Sequence, residues 1–155
     1  MLKTFKRLFF CVFVSQITFS QEIVSDVSLN WSSSYKQALK KSKLEHKPIL
    51  VYFKGSDWCG PCKVVDTKLF GSERFKELSD KSLILLEVDI PRQTDLLSEE
   101  KMSENYYLKE KFNIKSFPTI LILNHKGIVL AEKKGYIISD YYYPFIEEVL
   151  RKYKS

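Results

Sequence analysis

The chain has little of what binds metals or staples small folds. Its 155 residues include three cysteines and two histidines. A structural zinc site takes four ligands, and His46 and His125 stand in separate turn segments with no paired spacing. Long apolar runs are also missing. The longest, Leu8 to Phe19, spans 12 residues and contains Ser15 and Gln16, short of the roughly 20 that cross a membrane. There is no internal repeat and no low-complexity stretch. Charge of one sign is scarce too. The net charge is +6, but residues 1–20 hold Lys3, Lys6 and Arg7 and no acid, and without them 22 basic side chains face 19 acidic ones, or +3. That is too mild to argue for nucleic acid. The remaining basic residues are interleaved with acids, the pattern of solvated helix faces.

What is present suits one globular domain. The sequence is 45% hydrophobic, 28% charged and 14% aromatic, enough apolar area to exclude disorder and to bury one core without staples. Residues 1–20 read as a secretory signal. Lys3, Lys6 and Arg7 form a positive start, Leu8–Phe19 an apolar middle, and Thr18 and Ser20 are the small residues before a cut at Gln21. No stable membrane insertion is expected after that cut. Cys11 leaves with the signal, so Cys59 and Cys62 are the thiols of the mature chain. Its destination is periplasmic or secreted, where a disulfide persists.

Residues 21–30 read as a polar lead-in, and 31–155 as the domain. Ser32-Ser33-Ser34 offers N-caps for a helix over Tyr35–Leu44, which His46-Lys47-Pro48 ends. Ile49 to Phe53 is a continuous apolar run of strand formers, the mark of a buried central strand. A helix runs from near Cys59 to before Gly71, and a short one over Glu73–Leu78. Leu83–Asp89 is the next buried strand, closed by Pro91. Ser98 caps a long helix through Phe112, with Glu99 and Glu100 at its positive end. Pro118–Leu123 and Ile128–Lys133 are strands joined by the turn Asn124–Gly127, the second of them near an edge. A final helix begins between Asp140 and Tyr143, where Tyr141-Tyr142-Tyr143 reads as aromatic packing. This order implies an α/β fold with a mixed sheet of about four to five strands and helices on both faces.

The chemistry lies in Asp57-Trp58-Cys59-Gly60-Pro61-Cys62-Lys63. The string follows an apolar strand and opens a helix. Cys59 therefore sits at a helix N-terminus, where free N–H groups and the dipole favour a thiolate, the attacking species of disulfide exchange. Cys62 lies one turn on, in place to resolve a mixed disulfide. Pro61 fits the first turn, where its missing N–H costs nothing. Trp58 forms an apolar wall, and Lys63 adds a positive charge. Three other readings stand beside this one. Half of a zinc site lacks the other ligands. A purely structural disulfide closes so short a loop that it constrains the unfolded chain little. The pair could also survive in a protein that only binds.

At Trp58-Cys59-Gly60-Pro61-Cys62-Lys63 the chain resembles the thioredoxin superfamily. Phe117-Pro118-Thr119 is similar to the family's cis-proline element, and Gly135-Tyr136 to the glycine after its edge strand. Trp31, Lys47-Pro48, Gly55-Ser56-Asp57-Trp58-Cys59 and Val88-Asp89-Ile90-Pro91 resemble exported members and the periplasmic C-terminal domain of the bacterial membrane electron-transfer reductase. The resemblance implies a thioredoxin-like fold and catalytic Cys59 and Cys62, supported by Trp58, Gly60, Pro61 and Lys63. It also implies a cis Phe117–Pro118 bond whose neighbourhood, with Trp58, binds substrate as an added strand. One departure stands out. The family's buried Asp falls at Tyr52-Phe53 and its partner Lys near Leu85, so Asp57, Glu87 or a water must handle the proton of the second cysteine, or that step is slow.

The expected activity is dithiol–disulfide exchange on protein disulfides. No prosthetic group is needed, because the cysteines carry the electrons. Gly-Pro between the cysteines resembles the reducing members, which would draw electrons from a membrane donor protein. Oxidase or isomerase action, a binding module around Trp58, Phe117 and Tyr136, and a redox sensor are the alternatives. The chain is expected to be a monomer.

Overall fold

The computed structural model describes residues 27–153. The signal reading over 1–20 and most of the 21–30 lead-in lie outside them. A helix α1 (Tyr35–Glu45) precedes strand β1 (Ile49–Lys54). Helix α2 (Gly60–Val65) runs on through a wider π-type turn (Asp66–Phe70), and α3 (Glu73–Ser82) leads to β2 (Ile84–Asp89). Helix α4 (Glu99–Lys111), the hairpin β3 (Thr119–Leu123) and β4 (Val129–Lys134), a single 3₁₀ turn (Ser139–Tyr141) and α5 (Tyr142–Tyr153) complete the chain.

The caps fall where the sequence offers them. The hydroxyls of Ser34, Ser72 and Ser98 accept from the backbone N–H of Gln37, Phe75 and Lys101, each satisfying one orphan donor of a first turn. His46 ends α1 in the left-handed conformation. Helix α3 runs to Ser82, past the expected end at Leu78. Phe75, Ser79 and Ser82 share its buried face, so two small serines continue the contact where no apolar residue marks it.

The sheet has four strands in the order β2-β1-β3-β4, with β1 and β2 parallel and the β1–β3 and β3–β4 pairs antiparallel. Trp31 adds one parallel bridge to Leu85 beyond β2, so the start of the domain touches the sheet without adding a fifth strand. Strand period sorts the core into two layers. Leu50 and Tyr52 face α2, α3 and α5 together with Leu85, Ile120 and Ile122. Ile49, Val51 and Phe53 face α1 and α4 with Leu86, Val88, Leu121 and Leu123. β4 is the amphipathic edge, with Val129 and Leu130 exposed. Of the three tyrosines, Tyr142 and Tyr143 are buried and Tyr141 is exposed. Among the described residues no helix is long and apolar enough to cross a membrane.

Candidate active site

Topology brings four connections to one end of the sheet. Parallel β1 and β2 finish there, β3 starts there and β4 finishes there. The residues that gather are therefore 55–59, 90–98, 112–118 and 135–138. They include the motif, the cis Phe117–Pro118 bond and Gly135-Tyr136.

Cys59 is the N-cap of α2, and Cys59 and Cys62 are disulfide-bonded with Cα atoms 5.2 Å apart. The Cys62 amide donates to Cys59 Sγ at 3.2 Å, the contact by which a helix start favours a thiolate once the bond is reduced. Cys62 is fully buried and Cys59 is 3% exposed, while Gly60 and Pro61 lie in the open first turn and Lys63 on the exposed side of α2. Gly55 carbonyl holds the entry turn by accepting from the Trp58 and Cys59 amides. A Cβ at Gly55 would stand 2.3 Å from the Trp58 indole, so only glycine admits the ring there.

Trp58 is held on three sides. Its Nε1–H donates to Ile90 carbonyl at 2.8 Å, its ring meets Phe117 edge-on with centroids 5.4 Å apart, and the Arg92 guanidinium lies 5.0 Å from its centroid. Asp57 ties the same connections together. Both its carboxylate oxygens accept from the Arg92 amide at 3.0 Å, and one accepts from the Gln93 amide at 2.9 Å. Partial desolvation pulls its pKa upward, but the Gln93 and Arg92 amides outweigh this and hold the carboxyl below its ordinary value. Ser56 N–H donates to buried Asp89 at 2.8 Å.

Tyr52 is one of the two residues that the resemblance matches to the family's buried acid. It is wholly buried, and its hydroxyl donates to Cys62 carbonyl at 3.1 Å. Burial first, then the Asp66 and Glu87 carboxylates, push that phenol far above its usual pKa, so it stays protonated. Beside it Lys54 bridges Glu87 at 2.9 Å and Asp66 at 3.5 Å. Of the two acids expected to serve Cys62, Asp57 is turned onto the loop amides and Glu87 onto Lys54. The sequence reading missed Arg92, Lys54 and Asp66. Two of these had a signal: Lys54 shares the β1 face of Tyr52 two residues on, and Asp66 lies four residues, one helical turn, beyond Cys62. No group of three or more His, Cys, Asp or Glu among the described residues is placed to hold a metal ion.

The comparisons agree with this geometry. A family model described as a thioredoxin-like domain matches residues 35–150. The disulfide bond reductase DsbH of Chlamydia pneumoniae is 35% identical over 108 residues, 70% of this chain and 64% of its own length. The thioredoxin-related protein DsbJ of the same organism is 33% identical over 99 residues, 64% of this chain and 28% of its own. The chain thus spans less than two thirds of these curated relatives. A solved DsbH oxidoreductase structure superposes with a TM-score of 0.74 at 29% identity, covering 88% of this chain and 94% of that one. A Thermus thermophilus thioredoxin, 18% identical with a TM-score of 0.62 over 79% of this chain and 87% of its own, shares the fold. The chain belongs to the thioredoxin-like family.

Proposed function

We propose that the protein is an exported thiol–disulfide oxidoreductase that reduces protein disulfides through Cys59 and Cys62. The observation that carries this is the Cys59–Cys62 disulfide at the start of α2, with the Cys62 amide on Cys59 Sγ. In the reduced protein the Cys59 thiolate attacks a substrate disulfide. The substrate S–S bond breaks, a mixed disulfide forms, and one substrate sulfur leaves and takes a proton. Cys62 then loses its proton and attacks Cys59 Sγ, so the second substrate sulfur leaves as a thiol. The substrate gains two electrons and two protons, and the enzyme is left as the disulfide. A dithiol protein must return the two electrons, and in an exported setting that donor is a membrane electron-transfer protein.

Substrate docking falls to Trp58, Phe117 and Pro118. Neither the N–H nor the carbonyl of Phe117 has a hydrogen-bond partner among the described residues, so an extended substrate segment can pair with it as an added strand. The Gly-Pro spacer and the 35% identity to a protein named as a reductase support the reducing direction.

Two measurements test this. In glutathione buffers the Cys59–Cys62 pair should titrate as a two-electron couple near the roughly −270 mV of thioredoxin. A value of about −120 to −180 mV reverses the direction to oxidation or isomerisation. Cys62→Ser should accumulate a mixed disulfide with a model substrate and Cys59→Ser should not. A pair that never titrates, with no trapped species, removes the exchange reading.

A further inference from the structure

The contact of the Arg92 guanidinium with the Trp58 ring has no part in the exchange just described, and it bears on which substrates enter. Asp57 is the acid beside Trp58, and its carboxylate is committed to the backbone amides of Arg92 and Gln93. The side chain of Arg92 has no carboxylate at ion-pair distance among the described residues, although its charge acts on Asp57 through space and helps to hold that carboxyl low. A guanidinium drawn over an indole, 5.0 Å from its centroid, is partly ordered in advance, and its fork of N–H donors is shaped for a carboxylate.

Arg92 is also well placed. It is exposed, and the Trp58 ring it meets also meets Phe117. A segment that pairs with the Phe117 backbone and presents its disulfide to Cys59 must pass over the Trp58 wall, where the guanidinium stands. Two further exposed cations close in sequence to the site have no ion-pair partner among the described residues: Lys63, next to Cys62, and Lys115, two residues before Phe117. Like-charged substrate would meet repulsion along this rim, and acidic substrate a docking group.

Resting on the exchange reading above, we infer that Arg92 is a specificity-determining residue that selects protein disulfides flanked by acidic side chains, taking a carboxylate next to the substrate cysteine. The juxtaposition of Arg92, Trp58 and Phe117, with the Asp57 carboxylate hydrogen-bonded to the Arg92 and Gln93 amides, is what assigns it.

The test uses three otherwise identical peptides that carry one disulfide, with Glu, Gln or Lys beside the cysteine. They are reduced by the full dithiol protein at low ionic strength, and thiol release is followed. The wild type should prefer the Glu peptide over the Lys peptide by on the order of tenfold in kcat/KM, the scale of one charge-assisted hydrogen bond. Salt near 0.5 M should shrink that ratio. Arg92→Glu should lower the ratio tenfold or more, and Arg92→Lys should keep the preference at reduced size. The ratio is indifferent to partial unfolding, which slows all three peptides alike. Equal wild-type rates for the three peptides, or a ratio that Arg92→Glu leaves unmoved, overturns the assignment and reduces Arg92 to packing on Trp58. Failure to reduce any of the peptides brings down the exchange chemistry and this docking role together.

Discussion

Lys54 is the cation whose removal should be felt most. Its side chain is 14% exposed and serves two carboxylates, Glu87 at 34% and Asp66 at 35% exposure. Lys54→Met keeps the stem and removes the charge, leaving both acids beside the buried ring of Tyr52. Removing one partner of a fully buried pair costs about 3–5 kcal/mol, and an exposed pair contributes about 0–1 kcal/mol. A nearly buried lysine between two partly open acids falls between, at about 2 kcal/mol. With a urea slope of about 1.5 kcal/mol per molar, the unfolding midpoint should fall by about 1.3 M. The pH dependence has a definite sign. Burial pulls the Lys54 pKa down, but Glu87, Asp66 and Asp89 outweigh it and raise it above the ordinary lysine value. A raised folded pKa gives stabilisation that is complete below the unfolded value of about 10.4 and is lost as pH climbs through the folded one. The gap between wild type and Lys54→Met should thus hold constant from neutral pH to about 10 and close only in stronger alkali. Lys54→Met/Glu87→Leu should lose less than the single change, because one stranded acid is gone. A midpoint shift under about 0.2 M, or a gap that closes already near neutrality, would refute the reasoning.

Three other outcomes follow from single contacts. Asp57→Ala should speed hydrogen exchange at the Arg92 and Gln93 amides. Because the Asp57 pKa is depressed, the wild-type protection should be present above the ordinary carboxylate pKa and fade as pH falls through the lower folded one, which pH-resolved exchange can follow. Gly127 has φ +77° and an added Cβ would lie 2.2 Å from Tyr35 Oη, so Gly127→Ala should cost about 1–2 kcal/mol in urea unfolding. Trp58→Phe removes the donor to Ile90 carbonyl and should lower stability by about 1 kcal/mol by the same assay.

Much of the fold was legible because its signals are local. Buried strands such as Ile49–Phe53 announce themselves as apolar runs, serine caps precede their helices, and Gly127 and Gly135 sit at positive φ where the chain turns. A mixed sheet with helices on both faces is also reachable from the alternation of elements, though the order of its strands is not. What escaped is what depends on pairing across the chain. The Lys54–Glu87 contact needs the β1–β2 register, and Arg92 meets Trp58 across a connection that Asp57 helps to hold from 35 residues away in sequence. The end of α3 was misplaced for a different reason: serines at a tight helix–sheet contact carry no apolar mark. In the candidate site, the motif and the proline were visible, while the polar surroundings that tune them were not.

The central place of β1 has a consequence for how the chain must assemble. This strand is the first of the four to emerge from synthesis, yet both its hydrogen-bonding edges belong to later ones, β2 at 84–89 and β3 at 119–123. Until residue 89 has appeared its run of Ile49 to Phe53 can be covered on neither flank by its own partners, and until residue 123 the β3 flank stays open. Closing the β1–β3 pair joins segments about 70 residues apart, an entropic cost that slows folding and lengthens the time an adhesive edge stays open. A chain that crosses a membrane unfolded would begin this assembly only after most of it had arrived on the far side, with the first-made strand waiting for the last-made hairpin.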